Sequence, residues 1–314
     1  MIKKRLVLLS MVLLFVCVMV SQALAAVPYE PGKTACAHLK ELSEDPRVAG
    51  SQEEFEAKEY ILSELKDMGY RPSLQRFSFQ KDNKAYSSAN VIAVKPGRSS
   101  KVVIVGVHYD SVAAGQGADD NASGVAVMLE AAKMLKEAST PYTIRFVAFG
   151  AEEMGYEGSK YYASQMSYED ISNTVAMINL DSLAVGDKMY VYGGEAGWVR
   201  DQALKIAEKE KIELETNPGL NPEYPAGTTG LWSDHAAFAE KGIPFAYFEA
   251  TNWELGDLDG YTQTVQDGEI WHTEKDTLQY IEANYPGRIQ EHLSGFTTVL
   301  AELLDSMKEV GRVK

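Results

Sequence analysis

The chain contains a series of short apolar runs in which nearly every residue, rather than every second residue, is hydrophobic. Strands of this kind are buried on both faces, so helices must cover both sides of their sheet. The runs that we interpret as strands are 88–94, 102–107, 142–149, 175–180, 189–192 and 244–249. Helical patterns occupy 52–68, 124–138, 197–209 and 286–307. The sequence therefore predicts an α/β fold, a three-layer α/β/α sandwich with a mixed, mostly parallel central sheet.

Polar side chains follow three of these runs at the point where each run stops. They are His108 and Asp110, then Glu152 and Glu153, and finally Asp181. Each residue alone has an ordinary explanation as a cap, a turn residue or a solvated charge. Ligand sites in open α/β sheets, however, collect at the carboxyl ends of the strands. The joint placement of these side chains therefore predicts one site at that edge of the sheet.

Two further segments supply side chains of the same type. The stretch GADDNASG contains Asp119 and Asp120 before a helix, and WHTEKDT contains His272. Taken in order, the segments HYDS, GADDNASGVA, GAEEMGYEGS, NLDS, SDHAAF and WHTEKDT resemble the co-catalytic dizinc aminopeptidases, the bacterial leucyl-type enzymes of the zinc exopeptidase clan. The resemblance extends from Pro46 to Asp276 and so covers most of the chain.

The resemblance implies two Zn²⁺ ions per chain and a set of five ligands. His108 and Asp181 would hold one ion. Glu153 and His272 would hold the other, and Asp120 would bridge the two. Two divalent ions bring four positive charges, which three carboxylates and a bridging hydroxide balance, so such a cluster tolerates burial. The resemblance also suggests a cis peptide bond after Asp120.

Glu152 is the predicted catalytic residue. Hydrolysis of a peptide requires an activated water, a polarised carbonyl and a proton for the leaving amine, and a pair of zinc ions supplies the first two. The side chains of neighbouring residues diverge, so Glu153 can bind metal while Glu152 faces the water. Glu152 is therefore expected to act as the general base and then to protonate the amine.

Three other residues complete the predicted site. Asp110 lies two positions after His108, and its carboxylate is expected to accept the second ring N–H of that histidine. His235, in the SDH segment, is expected to line or support the substrate cleft; the alternative is a helix-start residue with Ser233 as the cap. Trp271 is expected to contact substrate, and it stands where related enzymes often carry a tyrosine whose hydroxyl steadies the developing oxyanion.

The substrate class follows from the charges around the site. Carboxylates beside the metals suit the free α-amino group of an aminopeptidase substrate. A carboxypeptidase would instead need an arginine to bind the terminal carboxylate. The three arginines after residue 150 lie outside the motifs, which favours an aminopeptidase. Aromatic residues in the last third of the chain predict large apolar N-terminal residues in peptide substrates. One alternative is a single-zinc glutaminyl cyclase, which Trp271 favours but which would need neither His108 nor Asp181. The other is a non-catalytic receptor or scaffold, in which metal ligands are lost.

The N-terminus has the layout of a secretory signal. Three basic residues precede an apolar run at 6–20 and a small-residue site, Ala23-Leu24-Ala25. Spanning a bilayer takes about 20 apolar residues, so a membrane anchor is the weaker interpretation. We expect 1–25 to be a signal peptide, 26–314 to be one catalytic domain, and the product to be extracellular or periplasmic without stable membrane insertion. A net charge of -15 argues against nucleic acid as a partner.

Overall fold

The computed structural model describes residues 30–308, and within them eight strands form one mixed sheet. The strands are β1 (Ser73–Lys81), β2 (Lys84–Lys95), β3 (Ser99–His108), β4 (Tyr142–Phe149), β5 (Thr174–Leu180), β6 (Lys188–Gly193), β7 (Leu214–Glu215) and β8 (Phe245–Thr251). Their order across the sheet is β1-β2-β4-β3-β5-β8-β6-β7. The expected signal peptide at 1–25 lies outside the described residues, so it and the domain boundary remain predictions.

The centre of the sheet is parallel. Strands β4, β3, β5 and β8 run in one direction, while β2 and β6 pair antiparallel with β4 and β8. The carboxyl ends of the four parallel strands therefore meet at one edge. His108 ends β3, Glu152 follows β4 and Asp181 follows β5 at that edge. The predicted α/β fold with a mixed, mostly parallel sheet is confirmed.

Helices cover both faces of the sheet. They are α1 (Lys33–Leu42), α2 (Gln52–Asp67), α3 (Gly124–Leu135), α4 (Glu157–Ser164), α5 (Tyr168–Asn173), α6 (Trp198–Glu210), α7 (His235–Ala239), α8 (Leu278–Asn284) and α9 (Arg288–Ser306). Within β3, Val103 and Val105 pack into the core beneath α1, α2, α3, α6 and α9. Val102 and Ile104 pack into the opposite core with α4 and α7. This alternation explains why the strand is apolar at every position.

The first hairpin departs from the predicted pattern. Strand β1 was not expected, and β2 begins at Lys84 rather than at residue 88. The two strands join through Asp82 and Asn83, which have φ values of 52° and 61°, as a tight hairpin of the type I′ class requires. Strand β1 lies at the edge of the sheet with one buried residue, Phe77. A half-exposed edge strand carries no continuous apolar run.

Ser51 caps the N-terminus of α2. The Ser51 hydroxyl accepts a hydrogen bond from the Glu54 amide at 3.1 Å. The Glu54 carboxylate does not return to Ser51; it accepts from the Gly50 amide and the Ser88 hydroxyl, both at 2.5 Å. Within residues 30–308, no helix is both long enough and apolar enough to cross a membrane.

Candidate active site

A cavity of about 370 Å³ opens where the parallel strands end. The residues predicted as ligands or as catalytic base all line it, namely His108, Asp120, Glu152, Glu153, Asp181 and His272. Aromatic side chains form much of the remaining wall, among them Tyr156, Trp232, Tyr247, Tyr261 and Trp271. The sheet topology therefore brings together side chains that are up to 164 positions apart in the chain.

Asp120 lies between two histidines. Its Oδ1 is 3.1 Å from His108 Nε2, and its Oδ2 is 3.2 Å from His272 Nε2. His108 Nε2 is also 3.2 Å from Asp181 Oδ1, and His272 Nε2 is 2.9 Å from Glu153 Oε2. One carboxylate thus joins two groups of donor atoms, each group containing one imidazole and one further carboxylate.

These donor atoms fit zinc. Each ring nitrogen carries at most one proton, so it cannot make a full hydrogen bond to both of the carboxylate oxygens that face it. Ligand atoms around a tetrahedral zinc, at 2.0 to 2.1 Å from the ion, lie about 3.3 Å apart, close to the 2.9 to 3.2 Å observed. Glu153 Oε1 is buried without a hydrogen-bond partner. Atoms of His108, Glu152 and Asp181, like those of His108, Asp120 and Glu153, lie within 4.8 Å of one another.

The pKa shifts show that the cluster needs positive charge. Burial and the charge of Asp120 raise the pKa of Glu153 to about 7. Burial lowers the pKa of His272, but its contacts with Asp120 and Glu153 outweigh this effect and raise it to about 10. The pKa of His108 is likewise raised well above its usual range, against burial, by Asp181 and other acids. The acids around His108 and His272 therefore favour positive charge at the positions of these two imidazoles.

Glu152 is buried beside the other acids of the cluster. Burial raises its pKa well above the usual range; the positive charge of His108 opposes this shift, and the charges of Asp234 and Asp181 add to it. Asp234 is itself fully buried. It was not expected from the sequence, where it reads as part of the SDH segment beside His235.

Asp110 differs in detail from the prediction. His108 Nδ1 is 3.2 Å from the Asp110 carbonyl oxygen and 3.7 Å from its carboxylate, so the carbonyl is the closer acceptor. The carboxylate instead accepts hydrogen bonds from the amides of Glu152 and Glu153, at 2.9 and 3.1 Å. It therefore fixes the backbone that carries the two glutamates, because β3 and β4 end side by side.

His235 does not line the cavity but supports its wall, which is one of the two roles expected for it. Its ring is fully buried, lies 4.7 Å from the Phe245 ring and 4.8 Å from the Tyr247 ring, and places Nε2 2.9 Å from the Gly230 carbonyl oxygen. Burial lowers its pKa to about 4. His235 starts α7 and supports the cavity only through Tyr247.

Ser233 contacts the site instead of capping α7. Its hydroxyl donates to Asp181 Oδ2 at 2.7 Å, and Asn179 Nδ2 donates to that hydroxyl at 2.8 Å. All three side chains are buried. The chain from Asn179 to Ser233 therefore fixes the orientation of the Asp181 carboxylate.

Trp271 lies in the cavity wall, where it was expected. Its ring lies 4.3 Å from the Tyr261 ring and 4.7 Å from the His272 ring. Its indole N–H donates to the Tyr261 carbonyl oxygen at 3.3 Å. His272 itself has a φ of 59° and a side chain that is 40% exposed. The histidine therefore stands at the rim of the cavity.

A buried network holds the two loops that carry Asp120 and His272. The Asp276 carboxylate accepts hydrogen bonds from the amides of Asp119 and Asp120 at 2.6 and 3.1 Å. Gln263 Nε2 donates to Asp119 Oδ2 at 2.6 Å. Gln263 Oε1 accepts from the amides of Ile270 and Trp271, both at 2.9 Å. The peptide bond between Asp120 and Asn121 is cis, as the resemblance suggested.

Arg47 is a further residue that the sequence did not single out. It is buried, and its guanidinium donates to the carbonyl oxygens of Tyr109, Gln116 and Gly117 at 2.8 to 2.9 Å and of Leu42 at 2.5 Å. These bonds attach the segment between α1 and α2 to the loop after β3. The only sequence signal for Arg47 was its position next to Pro46, where the resemblance begins.

The sequence is similar to those of known peptidases. The sequence pattern of peptidase family M28 matches residues 90–297, which is more than half of the chain and contains every residue of the cluster. The chain belongs to peptidase family M28. This M28 chain is 36% identical over 296 residues to the alkaline phosphatase isozyme conversion protein of Escherichia coli (strain K12), covering 83% of this chain and 86% of that protein. It is 34% identical over 202 residues to aminopeptidase YwaD of Bacillus subtilis (strain 168), covering 62% and 42%.

Solved structures share the fold of the M28 chain. BSAP, a zinc aminopeptidase from Bacillus subtilis, superposes with a TM-score of 0.73 at 20% identity, over 90% of this chain and 97% of that one. Porphyromonas gingivalis glutaminyl cyclase superposes with a TM-score of 0.70 at 19% identity, over 89% and 99%. At these identities the likeness shows the fold alone. The predicted family, and with it the prediction of a zinc-dependent hydrolase, is confirmed.

Proposed function

We propose that this M28 chain is an exported aminopeptidase that binds two zinc ions. The proposed ligands are His108, Asp120, Glu153, Asp181 and His272. The observation that carries the proposal is the position of Asp120, whose two carboxylate oxygens face two different histidines. A relative named as an aminopeptidase and a fold shared with a zinc aminopeptidase support it.

Glu152 is the proposed general base. When bound, the zinc ions would lower the pKa of water and polarise the scissile carbonyl. Glu152 lines the cavity beside His108 and Asp181, and Asp110 holds its backbone amide. A carboxylate that burial makes reluctant to stay ionised accepts a proton readily. Glu152 would take a proton from the attacking water and deliver it to the leaving amine.

The walls of the cavity favour a free α-amino group over a free carboxylate. Among the described residues that line the cavity, Lys81 is the only one with a permanent positive charge, and its ammonium group donates to the Met154 carbonyl at 3.0 Å. None of the described residues that line the cavity is an arginine that could clamp a carboxylate. Glu152 and Asp181 are the proposed acceptors of the substrate amine. The aromatic walls suit a large N-terminal side chain, for which the sequence predicted apolar character.

A single-zinc glutaminyl cyclase is the second candidate, because Trp271 precedes His272 and glutaminyl cyclases share the fold. That reaction would need Asp120, Glu153 and His272 alone. His108 and Asp181 complete a second group of donors here. Zinc measured per purified chain distinguishes the candidates: we expect two ions for the aminopeptidase, and one ion would favour the cyclase.

The activity test uses a panel of aminoacyl p-nitroanilides with N-acetylated counterparts, assayed with and without a chelator. We expect chelator-sensitive hydrolysis of the free amines and none of the blocked compounds. Glu152→Gln should keep two zinc ions and lose 100-fold or more of kcat, since general base catalysis contributes about 10² to 10⁴. Cleavage of blocked and free compounds at similar rates, or full activity in Glu152→Gln, would refute the proposal.

Export is tested separately. Expression of the full chain with its first 25 residues should give a mature protein that begins at Ala26 outside the cytoplasm, as N-terminal sequencing would show. An intact N-terminus on the mature protein would contradict the proposed signal peptide.

A further inference from the structure

Glu249, on β8, is a carboxylate in the cavity that the proposed reaction does not use. It lines the same cavity as the predicted ligands, and it is the most exposed residue of β8, whose other residues are all buried. The Tyr192 hydroxyl donates to its Oε2 at 3.0 Å, and the Tyr247 hydroxyl donates to its Oε1 at 3.2 Å. Two buried tyrosines therefore hold the carboxylate in one orientation.

No cation of the described residues pairs with Glu249. None of their lysines, arginines or histidines comes within 4.0 Å of it, and Lys188 on the adjacent strand β6 pairs with Glu215 and Glu254 instead. Burial raises the pKa of Glu249 to about 8; the two tyrosine hydroxyls oppose this shift, and the charges of Asp181 and Asp119 add to it. The environment of this carboxylate thus lacks positive charge.

The charges of the proposed active site leave Glu249 without a counterpart. Two zinc ions would carry four positive charges, which the carboxylates of Asp120, Glu153 and Asp181 and the hydroxide formed from the attacking water would balance once Glu152 holds the proton. Glu249 is a fifth carboxylate in the same cavity. A neutral apolar side chain that covered it would leave the carboxyl either protonated or buried as an unpaired charge, and an unpaired buried charge is unfavourable. A positively charged side chain would pair with it.

The walls beside Glu249 suit such a side chain. Trp232, Tyr247, Tyr261 and Trp271 line the cavity, and guanidinium and ammonium groups are attracted to the faces of aromatic rings. The methylene groups of arginine and lysine pack against the same rings. We propose that Glu249 selects substrates whose N-terminal residue is arginine or lysine, an inference that rests on the proposed aminopeptidase function. Under this proposal, the enzyme prefers N-terminal arginine or lysine to the large apolar N-terminal residues predicted from the sequence.

The test compares arginine with citrulline, its uncharged isostere. We expect kcat/KM for arginine p-nitroanilide to exceed that for citrulline p-nitroanilide at least tenfold, which corresponds to about 1.4 kcal/mol. In Glu249→Gln the ratio should fall to near one, and in Glu249→Asp, which keeps the charge, it should stay above one. The control is Glu254→Gln, which removes an acid outside the cavity and should keep the ratio of the unaltered chain.

Comparing two substrates within each variant separates selectivity from folding. A ratio near one in the unaltered chain would overturn the inference. An undiminished ratio in Glu249→Gln would also overturn it. This includes the case in which the variant loses the same factor in kcat/KM on every substrate, because the carboxylate would then have only a structural role.

A binding measurement separates this inference from the proposed function. Calorimetric titration of the zinc-loaded protein with free L-arginine and free L-citrulline requires no hydrolysis. Tighter binding of arginine that disappears in Glu249→Gln would support the role of Glu249 even if no p-nitroanilide is cleaved and the aminopeptidase proposal fails. Equal binding of the two amino acids would overturn the inference whatever the activity.

Discussion

Replacement of Gln263 by alanine tests whether the loop that carries His272 is held by a single buried side chain. Gln263 is 2% exposed and makes three hydrogen bonds, one to Asp119 and two from the amides of Ile270 and Trp271. The truncation leaves one carboxylate oxygen and two amides without partners. Each orphaned buried group costs about 1 to 3 kcal/mol. Because the two amides share one acceptor and water can enter the space, we expect a total loss of about 2 to 4 kcal/mol.

The same change should weaken zinc binding. Removing a group that orients metal ligands typically costs about 10-fold to 100-fold in affinity, and Gln263 joins the loop of His272 to the turn of Asp120. Urea unfolding of the chelator-treated protein measures the stability, and competition with a chromophoric chelator measures the zinc affinity. Gln266→Ala is the matched control, since it removes the same atoms from an exposed residue of the same loop and should change neither the stability nor the zinc affinity. A stability loss below 0.5 kcal/mol together with unchanged zinc affinity in Gln263→Ala would refute this reasoning.

Three further predictions concern the ligands, the pH dependence and a helix cap. Glu153→Ala should lower zinc content below two ions per chain in elemental analysis; unchanged content would remove Glu153 from the ligand set. Burial lowers the pKa of His292 to about 3 from 6.5, so the unfolded chain binds a proton between these values and the folded chain does not. Stability should therefore fall as pH decreases below 6.5, by about 2 kcal/mol at pH 5 from this residue, and urea unfolding of chelator-treated His292→Gln should show a smaller fall than the unaltered chain. Ser51→Ala should lower the free energy of unfolding by about 1 kcal/mol through loss of the cap on α2, whereas Ser51→Thr should lose less.

The central strands and the donor atoms of the site were predictable because each has a local signature. A strand buried on both faces is apolar throughout, as in β3, and the residue that ends it lies at the functional edge of a parallel sheet. Strand β1 lacks that signature, because only Phe77 is buried in it. The sequence also could not show which way a side chain points at the end of a strand. The Asp110 carboxylate was therefore expected to accept a hydrogen bond from His108, but it accepts hydrogen bonds from the backbone amides of Glu152 and Glu153.

His235 and Glu249 also show that the sequence does not reveal which side chains reach the cavity: one was expected near it and is buried away from it, and the other was not expected there and lines it. His235 belongs to a motif, but its ring is buried against Phe245 and Tyr247. Glu249 ends an apolar run that reads as an ordinary core strand, and yet it lines the cavity. Neither orientation is encoded within a few residues. Both depend on how distant segments close around the end of the sheet.

The spacing of the donors along the chain has a consequence for the unfolded state. His108 and His272 belong to segments that become neighbours only after the parallel strands have paired in their native order. An unfolded or partly assembled chain therefore offers the ions only scattered, weak sites, and nearly all of the metal-binding free energy is added to the native state. Bound zinc would therefore stabilise the folded sheet as a whole against unfolding. Withdrawing it should expose the chain to proteolysis at sites far from the cavity.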